Sequence, residues 1–283
     1  MPARLANLAG RSVLLDGTEA YDIETVSAGR LPSDPMAALA HMPELDAVAD
    51  ALGRHAPVGS VTPAQLGPCV PLPSKVIGIG LNYRAHAAET GARVPAQPLV
   101  FSKFRSCLTG PAAEISLPST STDWEVELVV VIGRGGRHIA AERALDHVAG
   151  YCIGQDVSER VVQWSGTPPQ FDLGKSYDTF GPIGPAVVSL AALPDPLDLA
   201  ISCELSGEIV QSSRTNDMIF SVPELIAHLS AVCTLETGDI VFTGTPAGVG
   251  MARDPVRYLA PGDELVSRVE GLGEMRNRCV EER

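Results

Sequence analysis

From Lys75 onward, short apolar, β-like runs recur at 76–79, 99–102, 125–132, 186–188, 199–205, 239–242 and 264–269, with Gly or Pro between most of them. Gly opens positive-φ turn positions and Pro interrupts helices, so a chain punctuated this way folds into many short strands. The 27 Gly and 23 Pro among 283 residues fit the same reading. Helical patterns are best at 140–147 and 222–231. No regular strand–helix alternation appears, which disfavours a doubly wound sheet or a (β/α)8 barrel. The expected class is α+β and strand-dominated.

The first 72 residues read differently. Apolar pieces at 12–15 and 21–26 precede a helix predicted from Asp34, a natural N-cap with Pro35 at the first helical position, as far as Leu52. A proline-bearing connector at 57–73 follows. This divides the chain into a small N-terminal module, 1–72, and a larger domain, 73–283. Lys and Arg number 21 against 34 Asp and Glu, a net charge of −13. A field of that sign repels phosphate backbones and anionic lipid, so no nucleic-acid or membrane partner is expected. No stretch approaches the ~18 apolar residues that span a bilayer. The N-terminus lacks a signal pattern. The six cysteines stand singly, at least 30 residues apart, which suits buried thiols in a reducing cytoplasm and argues against structural zinc.

Four stretches carry candidate chemistry. In Asp123-Trp124-Glu125-Val126-Glu127, a strand would project Glu125 and Glu127 to one side, ~7 Å apart. A solvated strand face explains such a pair as well as a cation does. Asp156 stands almost alone as a polar group in the apolar, glycine-rich 150–158, where an unpartnered carboxylate is costly to ionise. If it meets the two glutamates, the three make a hard-cation site suited to Mg²⁺ or Mn²⁺, with Ca²⁺ admissible. A short helix beginning near Asn82 would set His86 beside Glu89 at i, i+3, either a surface ion pair or an imidazole made more basic for general-base work. Arg160 and Gln163 precede Lys175, one of only three lysines (with Lys75 and Lys103), which lies among glycines and aromatics. It is either a snorkelling side chain or a stabiliser of developing negative charge. The last stretch, 243–250 (TGTPAGVG), is a tight turn or a loop whose backbone N–H groups meet a ligand carboxylate.

In this order the segments resemble the fumarylacetoacetate hydrolase superfamily: G-L-N-Y-R-x-H-x-x-E at 80–89, D-W-E-V-E-L at 123–128, G-Y-x-I-G-x-D-V-S-x-R at 150–160, G-K-S-x-D-T-F-G-P-I-G-P at 174–185 and T-G-T-P-A-G-V-G at 243–250. The resemblance implies a mixed β-roll or sandwich of that family's type, with a small N-terminal α+β module and a homodimeric assembly. It implies a divalent metal on Glu125, Glu127 and Asp156, and a water-activating dyad of His86 and Glu89. It further implies Lys175 and Gln163 near the oxygens of a 2-oxo acid, Thr245 at its carboxylate, and Arg160 as structural support. Gln155 departs from the pattern, since relatives commonly have Asn there. The activity implied is Mg²⁺- or Mn²⁺-dependent hydrolysis of a C–C bond in a small β-diketo acid of the acylpyruvate or fumarylacetoacetate type. The alternative is an isomerase or decarboxylase of 2-oxo or 2-hydroxymuconate-type acids on the same site. A non-catalytic, metal-stabilised binding module is the rival from another class.

Overall fold

Val126–Ile132 is buried at every position, so both of its faces are covered by other structure. In the computed structural model, which describes residues 2–282, this strand lies inside an eleven-stranded mixed sheet. On one side it pairs antiparallel with Val148–Gln155, on the other with Ile240–Phe242. Ile240–Phe242 runs parallel to Val76–Gly80, which pairs with the edge strand Leu99–Ser102. In the other direction Val148–Gln155 is followed by Gly181–Val188 and then by Arg4–Leu8. The meander Arg11–Asp16, Glu19–Asp22 and Gly59–Ser60 completes that edge. The strands of the first sixty residues therefore extend the large sheet. Leu5, Leu14, Ile23 and Leu39 share one apolar core with Val126–Ile132.

A second sheet of five strands has the order Glu208–Arg214, Ala200–Leu205, Glu264–Val269, Gly273–Glu281, Ile115–Leu117. It packs on the central strands of the first. The molecule is thus α+β and strand-dominated, with large mixed sheets, as the punctuation of the sequence indicates. No helix among the described residues is long and apolar enough to cross a membrane. All six cysteines are free, five of them buried.

Two local expectations are corrected. Asp34 does cap a helix, accepting from the Ala37 N–H at 2.8 Å. That helix does not run on to Leu52, however: Pro35–Ala38 gives way to a 3-10 turn, Leu39–His41, and then to Met42–Ala49. Pro43 has no amide proton to return to the Leu39 carbonyl, so the i→i−4 ladder cannot cross it. Residues Ala141–His147 likewise form a 3-10 helix. Val148–Gln155 escapes a sequence-level strand assignment because its glycines read as turn signals. They serve close packing instead: a Cβ on Gly154 would lie 2.5 Å from Val129 and 2.6 Å from the Phe242 ring.

Candidate active site

One register assembles the carboxylates. Val126 sits opposite Gln155 and Glu127 opposite Gly154, so Glu125 and Asp156 face each other at the end of the pair, joined by Asp156 N–H to Glu125 O at 2.9 Å. Cross-strand partners share a face, as do residues two apart on one strand. Carboxylate oxygens of Glu125, Glu127 and Asp156 therefore lie within 4.8 Å of one another, all buried. The parallel strands Val76–Gly80 and Ile240–Phe242 end on the same side. After the first, Leu81 in the left-handed region (φ 54°) turns the chain toward the helix Arg84–Glu89, which carries His86 and Glu89. After the second comes the 243–250 loop, where Gly244 N–H donates to Glu127 Oε2 at 2.7 Å. Gly244 has φ +100°, and a Cβ there would meet Asn82 at 2.6 Å.

Cations close in on two of the three carboxylates. The buried Lys175 donates to Asp156 Oδ2 at 2.6 Å, Glu125 Oε2 at 2.9 Å and Ser158 Oγ at 2.8 Å. Lys103 donates to Asp156 Oδ1 at 2.7 Å, to Phe180 O at 3.1 Å and to Lys175 O. Arg160 bridges Asp123 Oδ2 at 2.8 Å and Glu125 Oε1 at 2.7 Å, and donates to Gln163 Oε1 at 2.9 Å. Three carboxylates, Asp123, Glu125 and Asp156, thus pair with three cations, while Glu127 forms no ion pair among the described residues and feels Lys175 only at longer range. Burial pushes its carboxyl well above the ordinary 4.5, and the charges of Asp156 and Glu125 push it further. Burial also works against Glu125, but Lys175, Arg160 and His86 outweigh it and hold that carboxyl at about 2. For Lys175 burial favours the neutral amine, yet Asp156 and Glu125 prevail and its pKa is raised. Three buried carboxylates with oxygens this close, an all-oxygen donor set, fit a hard divalent cation.

A cavity of about 130 Å³ adjoins this cluster. Its polar side presents Glu125, His86, Arg160, Gln163, Lys175 and Thr245. His86 Nδ1 lies 2.7 Å from Glu89 Oε1, and Glu89 Oε2 accepts from Gly248 N–H at 2.8 Å. The carboxylate is clamped from both ends, and Nε2 is the imidazole nitrogen without a hydrogen-bond partner among the described residues. Gln163 gives its carbonyl oxygen to Arg160, so its NH₂ is turned to the donor role. Thr245 is more constrained: its hydroxyl donates to Val126 O at 2.9 Å and accepts from Gln211 at 2.8 Å. Contact between that hydroxyl proton and a ligand requires the bond to Val126 to open. A larger open groove, about 640 Å³, runs along Leu99–Ser102 and Val222–Val232, and none of the three clustered carboxylates lines it.

Sequence reasoning misses two residues of this network. Asp123 anchors Arg160 and also accepts from the N–H groups of Gly250 and Met251 at 2.7 and 3.0 Å, tying the 243–250 loop to the cluster. Lys103 lies in an apolar context, F-S-K-F, in a chain with three lysines, and that scarcity was its available signal. Gln155, where the resemblance leads to an expected Asn, spans the space beneath the carboxylates. Its Oε1 accepts from Glu125 N–H at 3.0 Å and its Nε2 donates to Ser267 Oγ at 2.8 Å, linking the two sheets beneath the carboxylates.

Residues 75–280 match the family model described as fumarylacetoacetate (FAA) hydrolase C-terminal. The mitochondrial oxaloacetate tautomerase Fahd2a of Rattus norvegicus is 49% identical over 210 residues, covering 74% of this chain and 67% of that protein. A solved structure from Mycobacterium smegmatis is 46% identical with a TM-score of 0.91, covering 99% of this chain and 100% of that one. Maleylpyruvate hydrolase from Sphingobium sp. SYK-6, solved with manganese(II) and pyruvate, is 30% identical with a TM-score of 0.80, covering 99% and 100%. The chain belongs to the fumarylacetoacetate hydrolase family, whose members are enzymes.

Proposed function

We propose that this protein is an Mg²⁺- or Mn²⁺-dependent hydrolase that cleaves a C–C bond in a small β-diketo acid of the acylpyruvate type. The observation that carries the reading is His86, held 2.7 Å from Glu89 and lining the same cavity as Glu125 and Lys175. Glu125, Glu127 and Asp156 would hold the ion, which when bound supplies Lewis acidity and a chelating template for the carboxylate and keto oxygens of a 2-oxo acid. His86 Nε2 takes a proton from the water that attacks the distal carbonyl, while Glu89 fixes the imidazole and stabilises its cation. The bond between the acyl carbon and the methylene carbon then breaks. Its electron pair passes into a pyruvate enolate, whose negative charge the Lys175 ammonium offsets. Gln163 donates to an oxygen of the same unit and sets its orientation. The proton held by His86 then passes to the methylene carbon of the enolate, which yields pyruvate beside the released carboxylic acid and restores the neutral imidazole. The reading carries a small 2-oxo acid as the partner, a homodimer as the assembly and the cytoplasm as the location.

A second reading, proton transfer without cleavage, is favoured by the 49% identity to an oxaloacetate tautomerase. The same residues serve it: His86 then moves a proton on carbon or oxygen of the acid, and no water is consumed. Incubating the protein and Mg²⁺ or Mn²⁺ with acetylpyruvate, oxaloacetate and a hydroxymuconate, followed by NMR of the products, separates the two. Acetate and pyruvate from acetylpyruvate support the hydrolase. Absence of a cleavage product from any acylpyruvate overturns it, and accelerated keto–enol exchange of oxaloacetate with the carbon skeleton intact supports the second reading.

A further inference from the structure

Gln211 is a buried amide that the proposed chemistry does not use. It lies on Glu208–Arg214, an edge strand of the five-stranded sheet, in which only Val210 and Gln211 are buried. The pairing accounts for this. Cys203 stands opposite Gln211 but Glu204 opposite Ile209, so Val210 is an extra residue in a β-bulge. A bulge bends its strand and re-aims the side chains. The bent strand meets the 243–250 loop closely: a Cβ on Gly248 (φ +108°) would fall 2.0 Å from Val210 O.

From there Gln211 reaches across to the central strand of the large sheet. Its Oε1 accepts from Val126 N–H at 3.0 Å, and its Nε2 donates to Pro246 O and to Thr245 Oγ1, both at 2.8 Å. Two of these partners fix the amide. The Val126 N–H can only donate and the Pro246 carbonyl can only accept, so a flipped amide would oppose both. Thr245 Oγ1 is therefore an acceptor toward Gln211, and its single proton must go elsewhere. Here it goes to Val126 O at 2.9 Å. Thr245 lines the same cavity as His86, Gln163 and Lys175.

We propose that Gln211 is a positioning residue of the site: by donating to Thr245 Oγ1, it reserves the hydroxyl proton of Thr245 for the carboxylate of a bound 2-oxo acid. The proposal rests on the reading of the cluster as a chelating site for such an acid. A ligand carboxylate at Thr245 competes with Val126 O for that one proton, and the bond it gains is charge-assisted. An acceptor in place of the Gln211 NH₂ would take the proton itself, and an apolar side chain would leave the hydroxyl free to rotate.

A double-mutant cycle, read by calorimetric titration of the Mn²⁺-loaded protein with oxalate, tests this. Thr245→Val should weaken oxalate binding about tenfold, and Thr245→Ser, which keeps the hydroxyl, should return it to within about threefold of the wild type. Gln211→Met should weaken it about three- to tenfold when Thr245 is present, but less than about twofold beside Thr245→Val. Gln211→Glu keeps an oxygen opposite Val126 N–H and turns an acceptor toward Thr245. It should lose at least as much as Gln211→Met, and replaces that variant in the cycle if Gln211→Met does not fold. Mn²⁺ affinity should stay within about threefold in Gln211→Met and Thr245→Val, since neither side chain bonds a carboxylate of the cluster. Equal losses from the Gln211 substitution with and without Thr245 would make its role merely structural and overturn the proposal. Wild-type oxalate affinity in Thr245→Val, or a fall in Mn²⁺ affinity as large as that for oxalate, would overturn it as well while leaving the chelating reading intact. Failure of the wild type to bind oxalate overturns the chelating reading and this proposal with it.

Discussion

Arg268, in the five-stranded sheet, sits 3.0 Å from Glu204 and 3.0 Å from Glu274. Lys103 sits 2.7 Å from Asp156. The distances are alike and the consequences are not. Around Arg268 all three side chains are between 26% and 42% exposed, so water solvates whatever charge a broken pair leaves behind. Lys103 and Asp156 are both at 0%. Charges taken out of water there persist only because nearly every one has a partner, and removing one partner strands the other. Contact geometry therefore says little about what an ion pair does, while its burial says a great deal. In the buried cluster Glu127 is the carboxyl that forms no ion pair among the described residues.

The largest effect expected along this contrast is that of Lys103→Met. It leaves Asp156 Oδ1 and the carbonyls of Lys175 and Phe180 without their donor. Urea unfolding of the metal-free protein should show a loss of about 3–5 kcal/mol. A loss no greater than that of a surface pair would break the contrast. His86–Glu89 is intermediate, with side chains 9% and 20% exposed. His86→Ala should lower turnover of an acylpyruvate about 10²–10⁴-fold, with divalent-ion affinity by calorimetry kept within about threefold. Wild-type turnover in this variant would remove His86 from the reaction.

Acidity offers a subtler probe, since Glu125 and Glu127 pull in opposite directions. Glu125, held at about 2, contributes stability that is present above its unfolded value near 4.5 and is lost as pH falls through about 2. Glu127, raised above 4.5, contributes stability present below that value and lost as pH climbs through its elevated folded pKa. Mg²⁺ or Mn²⁺ on the ionised carboxylate should cancel the second loss. The rise in Tm on adding the ion should therefore grow as pH climbs above 4.5. A pH-independent rise would show that Glu127 does not release a proton to the ion. Smallest of all, Arg268→Ala should cost no more than about 1 kcal/mol, and less still in high salt.

Several elements of the site were legible before any coordinates because their chemistry repeats at a structural period. Glu125 and Glu127 share a face through the two-residue period of a strand, and His86 and Glu89 through the turn of a helix. Asp156 stood out by isolation in an apolar stretch. Lys103 was not legible, because whether a lysine reaches water or a buried carboxylate depends on what packs around it. The engagement of Thr245 with Val126 and Gln211 was hidden for the same reason. Pro43 shows the converse error, in which a helix pattern outweighed a residue that cannot join the ladder.

By itself, then, the sequence determined the strand-dominated class, the pairs set by local spacing and the acidic field in which any substrate must arrive. Only the tertiary structure decided that Val126 lies opposite Gln155, and with it that Asp156 joins the glutamates. It also decided which two of the three lysines are buried among them. The division is physical: backbone periodicity acts over a few residues and is written in their order. Register, burial and the dielectric around a charge arise from segments distant along the chain, and exist only once those segments have met.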